Sequence, residues 1–360
     1  MTNWDRIEAA FACKPVDRIP ILDGWTTSEE HMASLAGVTI DDYWDDTEGV
    51  SLKAYRKLGT DGLVAISAPR ERGSWMITDY FRANVVEVRD IPEFVESFPT
   101  ADEVERETEW TFEERYTEYR HGLVEKQLRC GDIVWMPANL QAGVEIAHYD
   151  IFGYEAWAVM FAQYPDSARR WIDYRAAMGR REGELIAKAV KEGLLPHGVL
   201  IGDDICGNRG PLIDPAFLEK YWMGPLTYAL EPLLHVGCKP IWHCCGNVNP
   251  IVDMLLECGV KGFQGFQREC GVKYEELIEK RTSAGEKLVI LGPLSIVEHL
   301  QTLTPDEIYN EYQTAIFTCM DKASLVLFHS AWAFVPVGNI IAMREAVWDM
   351  YTGITWGSHE

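Results

Sequence analysis

The stretch Lys239-Pro240-Ile241-Trp242-His243-Cys244-Cys245-Gly246-Asn247 joins a short apolar strand to the turn that ends it. Side chains two residues apart on a strand point to the same face, so His243 and Cys245 can converge on one point. An imidazole and a thiolate together suit a Zn²⁺ ion. The alternative interpretation is structural: a buried histidine beside two buried cysteines would give the same sequence. From this segment alone, both interpretations stay open.

Apolar runs of the same type recur along the chain and alternate with helical patterns. The other predicted strands are Ile19–Trp25, Gly62–Ser67, Asp132–Asn139, Val199–Asp204, Gly262–Gln267, Leu288–Leu294 and Ser324–Ser330. The helical patterns include Asp166–Glu192, Pro215–His235, Asn249–Cys258 and Pro305–Met320. Eight strand–helix units predict an α/β fold of the (β/α)₈ TIM-barrel type, formed by residues 1–360 as a single domain. A doubly wound open sheet is the competing architecture.

Two segments do not fit the simple alternation. Thr2–Phe11 is predicted to form an additional N-terminal helix that closes the bottom of the barrel. Residues 68–131 are longer than one strand–helix unit requires, and we interpret them as an insertion over the barrel mouth. Within them, Trp75–Tyr80 and Asn84–Arg89 suit a hairpin, and an acidic helix is expected around Ala101–His121.

The composition excludes several classes of protein. A formal net charge of −23 argues against a nucleic-acid partner, because phosphate binding requires a basic field. No apolar run approaches the roughly 20 residues of a membrane helix, and the first residues lack the pattern of an export signal. We therefore expect a cytoplasmic protein without a membrane partner. Its nine cysteines form no recognisable disulfide framework in a chain of 360 residues.

Polar side chains concentrate where the predicted strands end, which is where barrel enzymes carry their active sites. The candidate catalytic residues are Asp204, His243 and His329, and the candidate substrate-binding residues are Asp23, Trp25, Asn139 and Trp332. Trp135 and Trp242 also lie near strand ends, and several indole rings around one mouth would suit a flat aromatic ligand. Polar strand ends are also expected simply because they meet solvent.

The adjacent carboxylates Asp203 and Asp204 follow the fourth strand. Neighbouring residues on a strand point to opposite faces, so only one of the two can enter the lumen. That carboxylate is expected to act as a general base, to hold a cation or to complete a metal site. The other is expected to be structural, capping the following loop or pairing with Arg209.

In these motifs the chain resembles the uroporphyrinogen decarboxylase superfamily, which also contains corrinoid-dependent methyltransferases. The resemblance lies in the stretches Arg6–Phe11, Pro15–Pro20, Leu58–Gly62, Gly202–Asp204 with Arg209–Pro215, and His243–Asn247, which is similar to a His-x-Cys-Gly-Asn motif. The family fold implied is a (β/α)₈ barrel. True decarboxylases carry an Arg-Gln-Ala-Gly-Arg clamp after the first strand, whereas Leu22–Ser28 contains no basic residue.

The resemblance to coenzyme M methyltransferases implies zinc bound by a His-x-Cys pair and a late cysteine. His243 and Cys245 match the pair, but the region of the late cysteine reads Phe328–Trp332, so His329 is the best substitute. Cys270 and Cys319 are weaker candidates, and Gln267 or Glu269 stands where related enzymes place an acidic ligand.

The predicted function is therefore transfer of a methyl group from a small methylated donor to the cobalt of a corrinoid held by a partner protein. A methoxyaromatic donor would suit the tryptophans. A metal at His243 and Cys245, or a proton from Asp204 or His329, would activate the leaving group. The alternatives are a decarboxylating lyase acting through Asp204, and a non-catalytic barrel that binds a tetrapyrrole or corrinoid.

Overall fold

A computed structural model describes residues 1–69, 71–73 and 86–352 of the chain. Eight parallel strands form its main sheet: β1 (Ile21–Thr26), β2 (Gly62–Leu63), β3 (Val134–Trp135), β4 (Gly198–Gly202), β5 (Lys239–His243), β6 (Gly262–Gln264), β7 (Val289–Leu291) and β8 (Ser324–Ala331). Each lies within or next to a segment predicted as a strand. Most are shorter than predicted, because pairing stops where the backbone turns into the loops.

The order of strands in the sheet is β3-β2-β1-β8-β7-β6-β5-β4. The first strand therefore pairs in parallel with the last, and every other neighbour is adjacent in sequence. Between β3 and β4 there is no ladder, but the amide of Asn139 donates to the carbonyl of Leu200 at 2.9 Å. This cyclic order confirms the (β/α)₈ prediction and excludes a doubly wound sheet.

The helices surround this sheet. They are α1 (Asn3–Phe11), α2 (Glu29–Ala36), α3 (Ile40–Asp45), α4 (Thr47–Leu58), α5 (Ile91–Glu96), α6 (Ala101–Cys130), α7 (Tyr149–Phe152), α8 (Tyr154–Gln163), α9 (Pro165–Lys191), α10 (Pro215–Tyr221), α11 (Met223–His235), α12 (Val252–Glu257), α13 (Tyr274–Leu277), α14 (Pro305–Cys319) and α15 (Val337–Thr352). The predicted helix over 215–235 is divided at Trp222. None of the helices in the described ranges is long and apolar enough to cross a membrane.

Side chains alternate between the lumen of the barrel and the layer beneath the helices. The lumen cluster contains Leu22, Val64, Val134, Met136, Leu200, Ile241, Val289, Leu291, Val326 and Phe328, together with Ile7, Ala10 and Phe11 of α1. Intervening strand residues such as Ile201, Trp242 and Leu327 belong to the outer cluster. Helix α1 thus closes the bottom of the barrel, as predicted, by packing Phe11 against Gly198.

The segment between β2 and β3 differs from its predicted form. Helix α6 runs along the outside of the barrel and pairs with α9 through Arg115–Glu182 and Lys188–Glu113. It is therefore the crossover helix of a regular strand–helix unit, and not part of an insertion over the mouth. The hairpin was predicted for residues 75–89, and those up to residue 85 lie outside the described residues. Val88–Asp90 form a 3₁₀ turn. The rest of the insertion predicted for residues 68–131 stays a prediction.

A buried ion-pair network ties α1 to the start of β1. Asp61, which is fully buried, accepts hydrogen bonds from Arg6 at 2.6 Å and Arg18 at 2.7 Å. It also accepts one from the backbone amide of Ile21 at 2.8 Å. Asp17 is the second partner of Arg6, and that contact holds the pKa of Asp17 well below its usual range. The network aligns the first two strands and α1 at the closed end.

Replacing the carboxylate of Asp61 tests this network. Asp61→Asn leaves the charges of Arg6 and Arg18 incompletely paired, and removal of one partner of a buried ion pair costs about 3–5 kcal/mol. We expect that loss in the free energy of unfolding measured by urea titration. Asp132→Asn is the matched control, because Asp132 is exposed and lies 3.9 Å from Arg56. Equal stability of the two variants would contradict the role assigned to Asp61.

Candidate metal centre

Three potential metal ligands converge at the carboxyl ends of β4 and β5. His243 is the last residue of β5, Cys245 lies two residues further, and Asp204 lies two residues beyond the end of β4. His243 Nε2 lies 3.8 Å from Cys245 Sγ and 3.5 Å from Asp204 Oδ1. One ligand atom from each residue fits within 4.8 Å of the others. The sequence predicted the convergence of His243 and Cys245 and left the third group open.

These separations match those around a tetrahedral zinc ion. With Zn–N and Zn–O distances of about 2.0 Å and a Zn–S distance of about 2.3 Å, ligand atoms are separated by about 3.6 Å for N and S and about 3.3 Å for N and O. The observed distances of 3.8 and 3.5 Å exceed these values only slightly. A small contraction around the metal would complete the site. Three protein ligands also leave the fourth tetrahedral position open.

A residue that sequence reasoning missed sets the orientation of the His243 ring. Gln264, the last residue of β6, is paired in register with His243, and its side-chain oxygen accepts a hydrogen bond from His243 Nδ1. In the neutral imidazole, a proton on Nδ1 leaves the lone pair on Nε2. That atom is the one facing Asp204 and Cys245. Strand alternation alone, which places Gln264 two residues after Gly262, could have placed it in the lumen.

Asp204 also organises the loop that carries Cys245. Its Oδ1 accepts a hydrogen bond from the backbone amide of Cys245 at 2.7 Å, and Tyr149 donates to its carbonyl at 2.8 Å. The Cys245 thiol is accessible but lies in the concave mouth, where desolvation and the Asp204 carboxylate raise its pKa well above the usual value. The thiol therefore keeps its proton until a metal displaces it.

Asp203 points to the opposite face of the sheet. Its carboxylate is buried and accepts hydrogen bonds from the backbone amides of Ile146 at 2.6 Å and Ala147 at 3.2 Å. The expectation that one of the two aspartates is structural agrees with this placement. Its expected partners were wrong, because Asp203 anchors the loop after β3 rather than capping its own loop or pairing with Arg209.

Asp23 and His329 do not belong to the cluster formed by Asp204, His243 and Cys245. They lie on the outer face of β1 and β8, where Asp23 Oδ1 is 2.9 Å from His329 Nδ1 and Thr60 donates to the second oxygen of Asp23. Both side chains are fully buried. Among the described residues, Asp204 and not His329 is grouped with His243 and Cys245, and a catalytic or metal-binding role for His329 stays a prediction.

Asn139 is also turned away from the lumen. Its side-chain oxygen caps the amide of Ala142 at 3.1 Å, and its nitrogen donates to Glu182 of α9 at 3.1 Å. Ala138, its neighbour, packs against the lumen cluster instead. The bond to Glu182 ties the loop after β3 to α9, and contact of Asn139 with a substrate stays a prediction.

The four tryptophans do not surround one mouth. Trp25 packs edge-on against His243 with ring centroids 5.0 Å apart, and Trp332 is 43% exposed beside Phe334. Trp242 is fully buried against Trp222 in the outer layer, and Trp135 lies under Lys126 of α6. Only Trp25 and Trp332 remain candidates for contact with a ligand.

The weaker candidate ligands are engaged elsewhere. The Cys270 thiol lies 3.4 Å from the side-chain oxygen of Asn208, and Cys319 ends α14 with its thiol near the carbonyl of Ala323. Gln267 accepts a hydrogen bond from the amide of Gly246, and Glu269 accepts one from Ser295 at 2.8 Å. Within the described ranges, none of these residues belongs to the cluster formed by Asp204, His243 and Cys245.

The described residues also line cavities away from the barrel mouth. One of about 600 Å³, lined by Trp4, Leu123 and Val134 among others, lies at the end of the barrel closed by α1. Another of about 710 Å³ lies near Cys13 and Ile19, where the chain enters β1. Active sites of this fold lie at the carboxyl ends of the strands, and we therefore assign the chemistry to the mouth.

Comparison with known proteins establishes the fold. No protein-family model matches the chain, and no curated protein matches it. Among solved structures, a methyltransferase from Methanosarcina mazei is similar, with a TM-score of 0.59 and 15% sequence identity. The likeness covers 98% of this chain and 99% of that one. At this identity, the comparison shows a shared architecture over the full length of both chains.

Metal content tests the candidate centre directly. We expect close to one zinc per chain in wild type purified without chelator or affinity tag, measured by plasma mass spectrometry. Cys245→Ser and Asp204→Ala should each lose most of the metal, because each removes one of only three ligands. Cys319→Ser is the matched control and should retain it. Metal-free wild type, or metal that survives both ligand substitutions, would disprove the assignment.

Proposed function

We propose that this protein is a methyltransferase that removes a methyl group from the oxygen of a small donor and passes it to the cobalt of a corrinoid. The corrinoid would be carried by a separate partner protein. The observation that carries the proposal is the cluster of Asp204, His243 and Cys245 at the barrel mouth. The motif order that resembles corrinoid-dependent methyltransferases supports it, as does the fold shared with a methyltransferase from Methanosarcina mazei.

The donor set fits zinc. A thiolate and an imidazole favour this ion over magnesium or calcium, which prefer oxygen ligands. Bound here, zinc would supply a Lewis acid that stabilises negative charge on the oxygen left behind after methyl transfer. His243, Cys245 and Asp204 would hold it, and Trp25 would form one wall beside the open position through its contact with His243.

An oxygen leaving group agrees with the ligand charges. Cysteine thiolate and aspartate carboxylate together carry two negative charges, which balance a divalent ion and leave a neutral centre when His243 is neutral. A hard carboxylate in place of a second thiolate donates less charge to the ion, and therefore keeps it a stronger acceptor for a phenolate or alkoxide. We therefore propose a methyl ether donor.

The aromatic side chains near the mouth support a methoxyaromatic donor. Trp332 and Phe334 follow β8 and are each about two-fifths exposed. Trp25 is on the same side of β1 as the lumen cluster. Aromatic rings in such positions can pack against the flat face of an aromatic substrate.

The experiment that tests this function is methyl transfer from a panel of methoxyaromatics to free reduced cobalamin, followed by its absorbance change. Wild type loaded with zinc should demethylate at least one donor. His243→Ala and Cys245→Ser should lower the rate by at least 100-fold while the circular dichroism spectrum is unchanged, because both residues lie at a loop edge. Cys319→Ser should retain the wild-type rate.

Other outcomes identify the alternatives. Release of carbon dioxide from a carboxylated substrate without methyl transfer would favour a lyase. Tight corrinoid binding without turnover of any donor would favour a non-catalytic barrel. Methylation of a thiol in place of cobalt would retain the methyltransferase but overturn the proposed acceptor.

A further inference from the structure

A neutral amide, and not a carboxylate, supports the metal-facing histidine. Gln264 is 9% exposed, and its side-chain oxygen accepts the hydrogen bond from His243 Nδ1. The next residue, Gly265, has a φ of +99°, and a Cβ there would lie 2.6 Å from the carbonyl of Cys244. Only glycine allows β6 to pass this close to the loop that carries the ligands. The backbone thus brings Gln264 directly behind His243.

A second side-chain amide, three residues after Gln264, makes a similar contact with the same segment. Gln267 accepts a hydrogen bond from the backbone amide of Gly246. Its nitrogen donates to Glu269 at 3.3 Å, and Glu269 also accepts from Ser295 at 2.8 Å. The carboxylate of Glu269 is therefore separated from the segment His243–Gly246 by the uncharged side chain of Gln267. The two side chains, from β6 and from the loop after it, that accept hydrogen bonds from the segment His243–Gly246 are both neutral amides.

The charge of this partner matters for a metal-bound histidine. Such histidines commonly donate their second N–H to a carboxylate, which raises the basicity of the imidazole and passes negative charge towards the metal. With Asp204 and Cys245 as ligands, a carboxylate at position 264 would give the centre a net negative charge. A neutral amide orients the ring equally well and adds no charge.

We infer that Gln264 is a positioning residue that also sets how strongly the metal attracts an anionic oxygen. It turns His243 Nε2 towards Asp204 and Cys245, and its neutrality leaves the open position receptive to a phenolate or alkoxide. The inference rests on the metal centre of the proposed function and names the side chain that tunes it.

Two substitutions separate orientation from charge. Gln264→Leu removes the acceptor, and we expect its zinc affinity, measured by competition with a chromophoric chelator, to fall by about 10- to 100-fold. Gln264→Glu keeps the acceptor and adds a charge. We expect it to bind zinc at least as tightly as wild type, while its cobalt(II)-substituted form binds azide at least 10-fold more weakly. Azide serves as an anionic probe of the open position, and its binding is followed by the cobalt absorption bands.

Matched substitutions at Gln313 control for changes far from the site, because this residue of α14 donates to Tyr309 on the protein exterior. Gln313→Leu and Gln313→Glu should leave both affinities unchanged. If wild type binds zinc and the two Gln264 variants match it in zinc and azide affinity, the inference is overturned while the metal centre stands. If wild type binds neither zinc nor cobalt, the proposed function is overturned and this inference with it.

Discussion

Alternation of side chains along parallel strands is the constraint on which the candidate centre depends. In a closed barrel each residue faces either the lumen or the helix layer, and its neighbour faces the other. This separates Asp204 from Asp203, which anchors the loop after β3 from the outer layer. It likewise separates His243 and Cys245 from Cys244, which is buried outside the lumen. Adjacent residues of similar chemistry thus have different tasks.

Hydrogen bonds between neighbouring strand ends hold the candidate ligands in place. Asp204 accepts a hydrogen bond from the amide of Cys245, Gln267 accepts one from Gly246, and Gln264 accepts one from the ring of His243. Each bond joins residues at the carboxyl ends of two neighbouring strands or in the loops that follow them. The candidate ligand atoms are therefore held close together by the fold, which would reduce the conformational entropy lost on binding a metal.

Much of this arrangement could be predicted from local patterns. The eight apolar runs located every strand of the barrel. The spacing of His243 and Cys245 placed both on one face. The same alternation, applied to Asp23, Asn139 and His329, would have removed them from the site, since Leu22, Ala138 and Phe328 beside them belong to the lumen side.

Strand β1 shows where alternation by itself fails. Leu22 pairs with Phe328 and Trp25 pairs with Ser330, so the register shifts by one residue between them. Gly24, with a φ of +138°, occupies the irregularity, and a Cβ there would lie 2.5 Å from the backbone of Ala65. Strict alternation counted from Leu22 would point the side chain of Trp25 towards the helix layer. The bulge instead turns it towards Phe328 and His243.

By itself, the sequence determined the barrel, its closing helix and the pair formed by His243 and Cys245, because periodicity and i, i+2 spacing are local properties of a strand. Only the tertiary structure decided that Asp204 is the third candidate ligand beside His243 and Cys245, that the Gln264 side chain accepts a hydrogen bond from His243, and that His329 pairs with Asp23. These relations join residues 21 to 306 positions apart, as between His243 and Gln264 or Asp23 and His329. Such contacts are set by strand register and barrel closure, which no local pattern encodes.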